Sequence, residues 1–265
     1  MISRKERKMD NLKEKITKRA KELADILGIS PVEANKIAEN LNSGYTVPEI
    51  SKETAAKAID HTILSFNAAE NDVLRICLEA ENYGFKAVCI NPVWIKTAAD
   101  FRKKENASFK IATVIDFPLG ASTAAAKEAE SKQAVADGVD EIDVVINIGL
   151  LKSKKLKECF EILKSAVKTE TYVKVILETS ALSEEEKIDA ALLAVFAGAD
   201  MLKTSTGVNG KAAAEDVKLL RMIAGNRLGV KAAGGIRDKE TLVAMMEAGA
   251  DRIGCSSSVS IMENW

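Results

Sequence analysis

A (β/α)8 TIM barrel with an N-terminal helical extension is the fold this chain predicts, on three observations. From residue 58 onward, short apolar runs alternate with longer amphipathic stretches, at 58–62, 86–90, 111–116, 141–147, 172–178, 200–204, 229–233 and 252–255. Their recurrence at roughly 20 to 30 residues matches one strand plus its crossover helix, the unit of a parallel sheet. Eight such units in residues 58–265 fit a closed barrel better than an open sheet. The competing doubly wound sheet also lacks a G-x-G-x-x-G after the first run.

In chain order, residues 1–27 read as a helix, because Leu12, Ile16, Ala20, Leu23, Ala24 and Leu27 recur at three- and four-residue steps among charges. Gly28 stops it, and Ser30-Pro31 starts a second helix with Pro in the first turn, running to about Asn42. Gly44 and Pro48 mark the next connection. Residues 1–52 therefore form an extension without evident chemistry, packed against the barrel of 53–265 or against a partner subunit. A homodimer or higher homo-oligomer is expected. Within the barrel, Asn67-x-x-Glu70 and Ser183-x-x-Glu186 have capping-box spacing, and Asp238 precedes another helical pattern. Gly84, Gly138, Gly198 and Gly249 each end a helical stretch before the next strand.

Composition removes several function classes. The formal net charge is -1, so no overall basic field calls for nucleic acid. The N-terminal excess of lysine and arginine reads as a solvated helix face. Cys77, Cys89, Cys159 and Cys255 lack CxxC spacing and read as reduced, buried thiols. The single histidine, His61, leaves zinc chemistry short of ligands, and no G-x-S-x-G elbow accompanies it. No metal and no cofactor are expected. A charged N-terminus without an apolar segment, and no run of membrane-spanning length, predict a cytoplasmic protein that contacts no membrane.

Chemistry concentrates at the strand ends, where barrels of this type place their active sites. Two apolar runs end near lysine, Lys203 in the sixth and Lys231 in the seventh. Burial lowers a lysine's pKa, a second ammonium beside it lowers it further, and the neutral amine can form a Schiff base. The plainer alternative is a strand-end lysine reaching water along its flexible stem. In Glu141-Ile142-Asp143-Val144-Val145-Ile146-Asn147 the aliphatic residues share one face, so Asp143 points into the barrel, where a carboxylate needs a cation. Asp143 is then either catalytic or simply half of a buried ion pair. The last two strands lead into Gly234-Gly235-Ile236-Arg237 and Gly254-Cys255-Ser256-Ser257, glycine-rich turns suited to an anion and placed where such barrels bind phosphate.

Asp60-His61-Thr62, the 141–147 segment, Lys203-Thr204-Ser205-Thr206-Gly207, Lys231-Ala232-Ala233-Gly234-Gly235-Ile236-Arg237 and Gly254-Cys255-Ser256-Ser257 together resemble the motif set of the deoxyribose-phosphate aldolases, in order from residue 58 onward. The resemblance implies a class I aldolase that reversibly cleaves 2-deoxy-D-ribose 5-phosphate to acetaldehyde and D-glyceraldehyde 3-phosphate. It implies Lys203 as the Schiff-base lysine, Lys231 as the cation depressing its pKa, and Asp143 as the proton carrier. Asp60, Cys89 and Thr206 match pocket positions. Gly207, Gly234, Gly235, Ile236, Arg237, Gly254, Ser256 and Ser257 match the surroundings of the phosphate. The partners so implied are a small sugar phosphate and an aldehyde. Two departures stand out: Val208 where some members have lysine, and Trp265 as the last residue where many carry a tail ending in tyrosine, a change expected to bear on turnover more than on reaction type. The alternatives are another Schiff-base aldolase or transaldolase, and a phosphosugar-binding barrel without catalysis.

Overall fold

Each of the eight apolar runs becomes a strand: β1 (Ile59–Ile63), β2 (Ala87–Ile90), β3 (Lys110–Ile115), β4 (Glu141–Val145), β5 (Tyr172–Ile176), β6 (Met201–Lys203), β7 (Gly229–Ala233) and β8 (Arg252–Cys255). The computed structural model describes residues 4–41 and 44–265. The strands pair in parallel and in sequence, and β1 pairs with β8, so the sheet closes into a (β/α)8 barrel without open edges. Outward side chains such as Ile142, Val144, Val173 and Val175 join the helices in one continuous apolar cluster. Asp143 and Lys174 alternate with them and point inward, still fully buried.

The helical shell comprises α4 (Glu70–Tyr83), α5 (Ile95–Glu105), α6 (Ala124–Ala136), α8 (Leu156–Val167), α9 (Glu184–Ala197), α10 (Ala214–Ala224), α11 (Lys239–Glu247) and the short α12 (Ser258–Glu263). Before it come α1 (Arg4–Leu27), α2 (Pro31–Asn40) and the five-residue α3 (Lys52–Ala56), and α7 (Ile148–Lys152) follows β4. Residues 1–3 and Asn42 of the expected N-terminal helices lie outside the described residues. Ile16, Ala20 and Leu23 of α1 share the barrel's apolar cluster. No helix among the described residues is long and apolar enough to cross a membrane.

Local chemistry sets the boundaries. At α9 the Ser183 hydroxyl accepts the Glu186 N–H at 3.3 Å, and the Glu186 carboxylate accepts the Ser183 N–H at 2.8 Å. Asp238 caps α11 through the Thr241 N–H at 2.7 Å. The Asn67-x-x-Glu70 spacing does not cap a helix: α4 starts two residues later, with the Asp72 carboxylate accepting the Ala69 N–H at 3.0 Å, while Asn67 binds the Ser65 hydroxyl. The fourth strand stops at Val145 because Asn147 turns to cap α7, accepting the Leu150 N–H at 2.9 Å. The fifth stops at Ile176, and Glu178 turns the chain at a φ of 53°. A reciprocal Ser51–Thr54 cap, unread in the sequence, starts α3.

Candidate active site

Seven charged side chains meet inside the barrel: Asp60 from β1, Glu141 and Asp143 from β4, Lys174 from β5, Lys203 from β6, Lys231 from β7 and Arg252 from β8. Asp143 sits at the centre. Its Oδ1 accepts from Lys174 Nζ at 2.9 Å, and its Oδ2 accepts from both Lys203 Nζ at 2.7 Å and Lys231 Nζ at 2.8 Å. Lys203 and Lys231 are direct neighbours in the β6–β7 register, so the two ammonium groups share one carboxylate oxygen. Gly254 on β8 leaves room for this: a Cβ there would lie 3.0 Å from Lys231 Cε. Asp60 is held by Lys231 and by the Arg252 guanidinium, which also binds Glu141. Lys174 reaches Glu141 at 2.6 Å as well as Asp143.

The bookkeeping of this cluster singles out Lys203. Four cations face three carboxylates, so one proton is in excess. Lys174, Lys231 and Arg252 each touch at least two carboxylates, whereas Lys203 touches Asp143 alone. Burial and the neighbouring Lys231 ammonium lower the pKa of Lys203, against the pull of Asp143. Lys231 is equally buried, but Asp143 and Asp60 together outweigh burial and push its pKa up, so it stays cationic. Burial alone would raise the pKa of Asp143; Lys174, Lys203 and Lys231 instead hold it well below the carboxylate range. Lys203 is therefore the lysine that burial and a cationic neighbour drive toward the neutral amine.

Above these charges lies an open cleft of about 650 Å³ at the C-terminal ends of the strands. Thr206 and Gly207 line it after β6, Gly234, Gly235, Ile236 and Arg237 after β7, and Gly254 within β8 and Ser256 after it. Ser257, directly before α12, does not line it. Cys89 lies beneath, buried with Ala87, Ala112 and Val114 in a small apolar cluster against which cleft residues Leu64 and Phe117 pack. Burial raises its thiol pKa, and all four cysteines are free and buried.

Three features escape a reading of the strand ends. Lys174 and Arg252 lie away from the C-terminal ends of β5 and β8, although the alternation in Tyr172-Val173-Lys174-Val175-Ile176 points Lys174 inward by the same reasoning that placed Asp143. Glu178 is a loop anchor: its carboxylate accepts the Thr206 N–H at 3.2 Å and the Thr206 hydroxyl, fixing the turn after β6. His61 faces outward to the helices, between Glu79 at 2.7 Å and Ser258 at 3.0 Å, away from the central charges.

This arrangement has counterparts. A family model described as DeoC/LacD family aldolase matches residues 54–260. A deoxyribose-phosphate aldolase of Thermococcus kodakarensis is 49% identical over 219 residues, covering 81% of this chain and 98% of the relative. One from a Geobacillus species is 47% identical, covering 78% and 94%. Among solved structures, the tetrameric deoxyribose phosphate aldolase of Aeropyrum pernix superposes with a TM-score of 0.75 at 33% identity, covering 86% of this chain and 95% of that one. With the family model spanning most of the sequence and close relatives matched nearly end to end, the chain belongs to the DeoC/LacD family of aldolases.

Proposed function

We propose that this protein is a deoxyribose-phosphate aldolase that reversibly cleaves 2-deoxy-D-ribose 5-phosphate to D-glyceraldehyde 3-phosphate and acetaldehyde through a Schiff base on Lys203. The observation that carries the reading is the placement of Lys203, buried beside Lys231 and paired with a single carboxylate that the two lysines share. Shedding its proton makes Lys203 a neutral amine at the floor of a cleft, next to a cation that stays charged.

In this mechanism neutral Lys203 attacks the C1 aldehyde of the open-chain sugar, and loss of water gives an iminium. Carbon count fixes the bond that breaks: a two-carbon aldehyde leaves, so scission falls at C2–C3 rather than at C3–C4. The iminium takes up the bonding electrons as an enamine while the C3 hydroxyl loses its proton and becomes the aldehyde of glyceraldehyde 3-phosphate. Protonation of the enamine at C2 and hydrolysis then release acetaldehyde and restore the lysine. Asp143 is the proton carrier, working through water. Its low pKa makes it a weak base, which suffices because the C3 hydroxyl becomes strongly acidic as the carbonyl forms. Lys231 keeps Lys203 deprotonated and Asp60 holds Lys231. Thr206 bounds the sugar with Cys89 beneath it, and Gly207, Gly234, Gly235, Ile236, Arg237, Gly254 and Ser256 surround the phosphate, with Ser257 behind them at the start of α12.

We assign residues 1–52 to an extension of a catalytic barrel formed by 53–265. The tetrameric relative supports a homo-oligomer, and the small polar substrate fits a cytoplasmic enzyme. Borohydride trapping tests the chemistry: deoxyribose 5-phosphate plus borohydride should leave a covalent adduct on Lys203, and Lys203→Ala should remove both adduct and turnover. Cleavage at the wild-type rate by Lys203→Ala sinks the assignment.

A further inference from the structure

Among the described residues Glu178 is the one buried acid without a lysine or arginine in ion-pair range; Asp60, Glu141, Asp143, Asp189 and Asp216 each have one. At 1% exposure its carboxylate has no water to turn to, so its lone pairs must be filled by the protein. Hydroxyl and amide donors do this. Oε2 accepts both the Thr206 N–H at 3.2 Å and the Thr206 hydroxyl, and Oε1 accepts the Ser180 hydroxyl at 3.2 Å.

The backbone around Glu178 is held just as firmly. Leu177 and Thr179 donate their N–H groups to the carbonyls of Lys203 and Thr204, each at 2.9 Å. Between them Glu178 has a φ of 53°, a left-handed conformation that a residue with a side chain keeps only where its surroundings impose it. From there the side chain reaches past Ser205 to Thr206, whose hydroxyl is left without freedom. A carboxylate only accepts, so the single hydroxyl proton goes to Glu178, while the Val208 N–H donates to the same oxygen at 3.1 Å. One side chain from the loop after β5 thus sets the rotamer, the proton and the main-chain position of Thr206. Thr206 lines the cleft just beyond the strand that ends on Lys203, whereas Glu178 does not line it.

We propose that Glu178 is a positioning residue for carbon–carbon cleavage: it touches no substrate and acts by holding Thr206 as the wall that aligns the sugar over Lys203. The inference rests on the aldolase reading above.

Two reactions separate alignment from lysine chemistry. Acetaldehyde brings only the two carbons that bind at Lys203, and borohydride reduction of its imine leaves an ethyl group on that lysine. Deoxyribose 5-phosphate must also be aligned for scission. Glu178→Ala should cleave the sugar phosphate with kcat/KM about 100-fold lower, most of the loss in kcat, because a small misplacement costs that much. Its ethyl adduct should form within about twofold of the wild-type rate, which a generally loosened barrel would not preserve. Glu178→Gln should cleave within about tenfold of wild type, since its amide oxygen can accept both Thr206 donors while its NH2 faces the Ser180 oxygen. Glu178→Asp, one methylene short of Thr206, should match Glu178→Ala and decides the matter if that variant does not fold. Cleavage at the wild-type rate by Glu178→Ala or Glu178→Asp overturns the proposal, as does an equal loss of cleavage and adduct, which marks general support of β6. A wild type that forms no ethyl adduct and cleaves no sugar phosphate overturns the aldolase reading, and this proposal with it.

Discussion

Removing Lys231 alters Lys203 in two ways at once, and both have the same sign. The ammonium of Lys231 lowers the pKa of Lys203, and by sharing Asp143 Oδ2 it also dilutes the carboxylate's pull on Lys203. In Lys231→Met both effects vanish, so the pKa of Lys203 rises and its reactive neutral form appears at higher pH. The acid limb of the kcat/KM profile should shift to higher pH by about one unit or more, where one unit corresponds to ~1.4 kcal/mol. A profile superimposable on wild type removes Lys231 from this role. Lys174→Met tests a neighbour with a different duty. Lys174 ties Glu141 to Asp143 and does not touch Lys203, so its loss leaves buried carboxylates short of charge and should cost about 3–5 kcal/mol of stability, measured by urea unfolding. Lys203, Lys231 and Asp143 were legible in the sequence because each interrupts an aliphatic run, Lys203 at the end of β6 and the other two in the middle of β7 and β4. Glu141 and Arg252 were not, since they stand at strand starts and resemble ordinary solvated termini until the barrel closes over them.

Helices and loops show the same division between what is local and what is tertiary. Caps such as Ser183–Glu186 and Asp238 depend on residues three apart, so the pattern alone reveals them. The turn after β3 does not, because its anchor arrives from another element. Lys127 of α6, fully buried, donates to the Val145 carbonyl at the end of β4 and pairs with Asp116 at 3.1 Å. Asp116 in turn accepts from the Ser122 N–H at 2.9 Å and from its hydroxyl, and it holds a φ of 52°. This clamp fixes the backbone directly before Phe117, a residue of the cleft wall. Lys127→Met should cost about 3 kcal/mol, the low end for a broken buried pair, because Ser122 still satisfies part of Asp116. A urea midpoint equal to wild type's would show that the clamp carries no strain-bearing role. On a helical three- and four-residue period Lys127 resembles any helix-surface lysine, and its burial follows only from the packed fold.

At the scale of the molecule the charged interior and the N-terminal helices make separate demands. Asp60, Glu141 and Asp143 all have pKa values below their ordinary 3.8 or 4.5. Lowered folded-state values mean that the unfolded chain takes up protons first as pH falls. Their stabilisation is therefore complete above about pH 5 and is lost progressively below it, as pH falls toward the folded-state values. Thermal unfolding midpoints should decline slightly from pH 7 to 5, where burial holds the pKa of His61 below its ordinary value, and fall steeply from pH 5 to 3; a flat curve from pH 5 to 3 contradicts the lowered carboxylate values. The extension answers to a different region. Asn40 donates to the Ala224 carbonyl at 2.7 Å, Asn226 donates to the Gly44 carbonyl at 3.0 Å, and the Tyr45 ring lies 4.1 Å from the Arg221 guanidinium carbon. Ala224 closes α10 ahead of β7, and Arg221 pairs with Asp251 ahead of β8, so these contacts sit at the N-terminal end of the barrel, opposite the cleft. Deleting residues 1–48 uncovers apolar surface beneath Ile16, Leu23 and Ile37 without touching the charged cluster. At ~25 cal/mol per Å², a few hundred Å² of newly exposed surface costs several kcal/mol, or roughly 10 °C in the unfolding midpoint. The truncated protein should therefore melt earlier yet cleave deoxyribose 5-phosphate with unchanged kcat at 25 °C. A folded truncation product with kcat reduced tenfold would place the extension in the catalytic unit and end the division between the two.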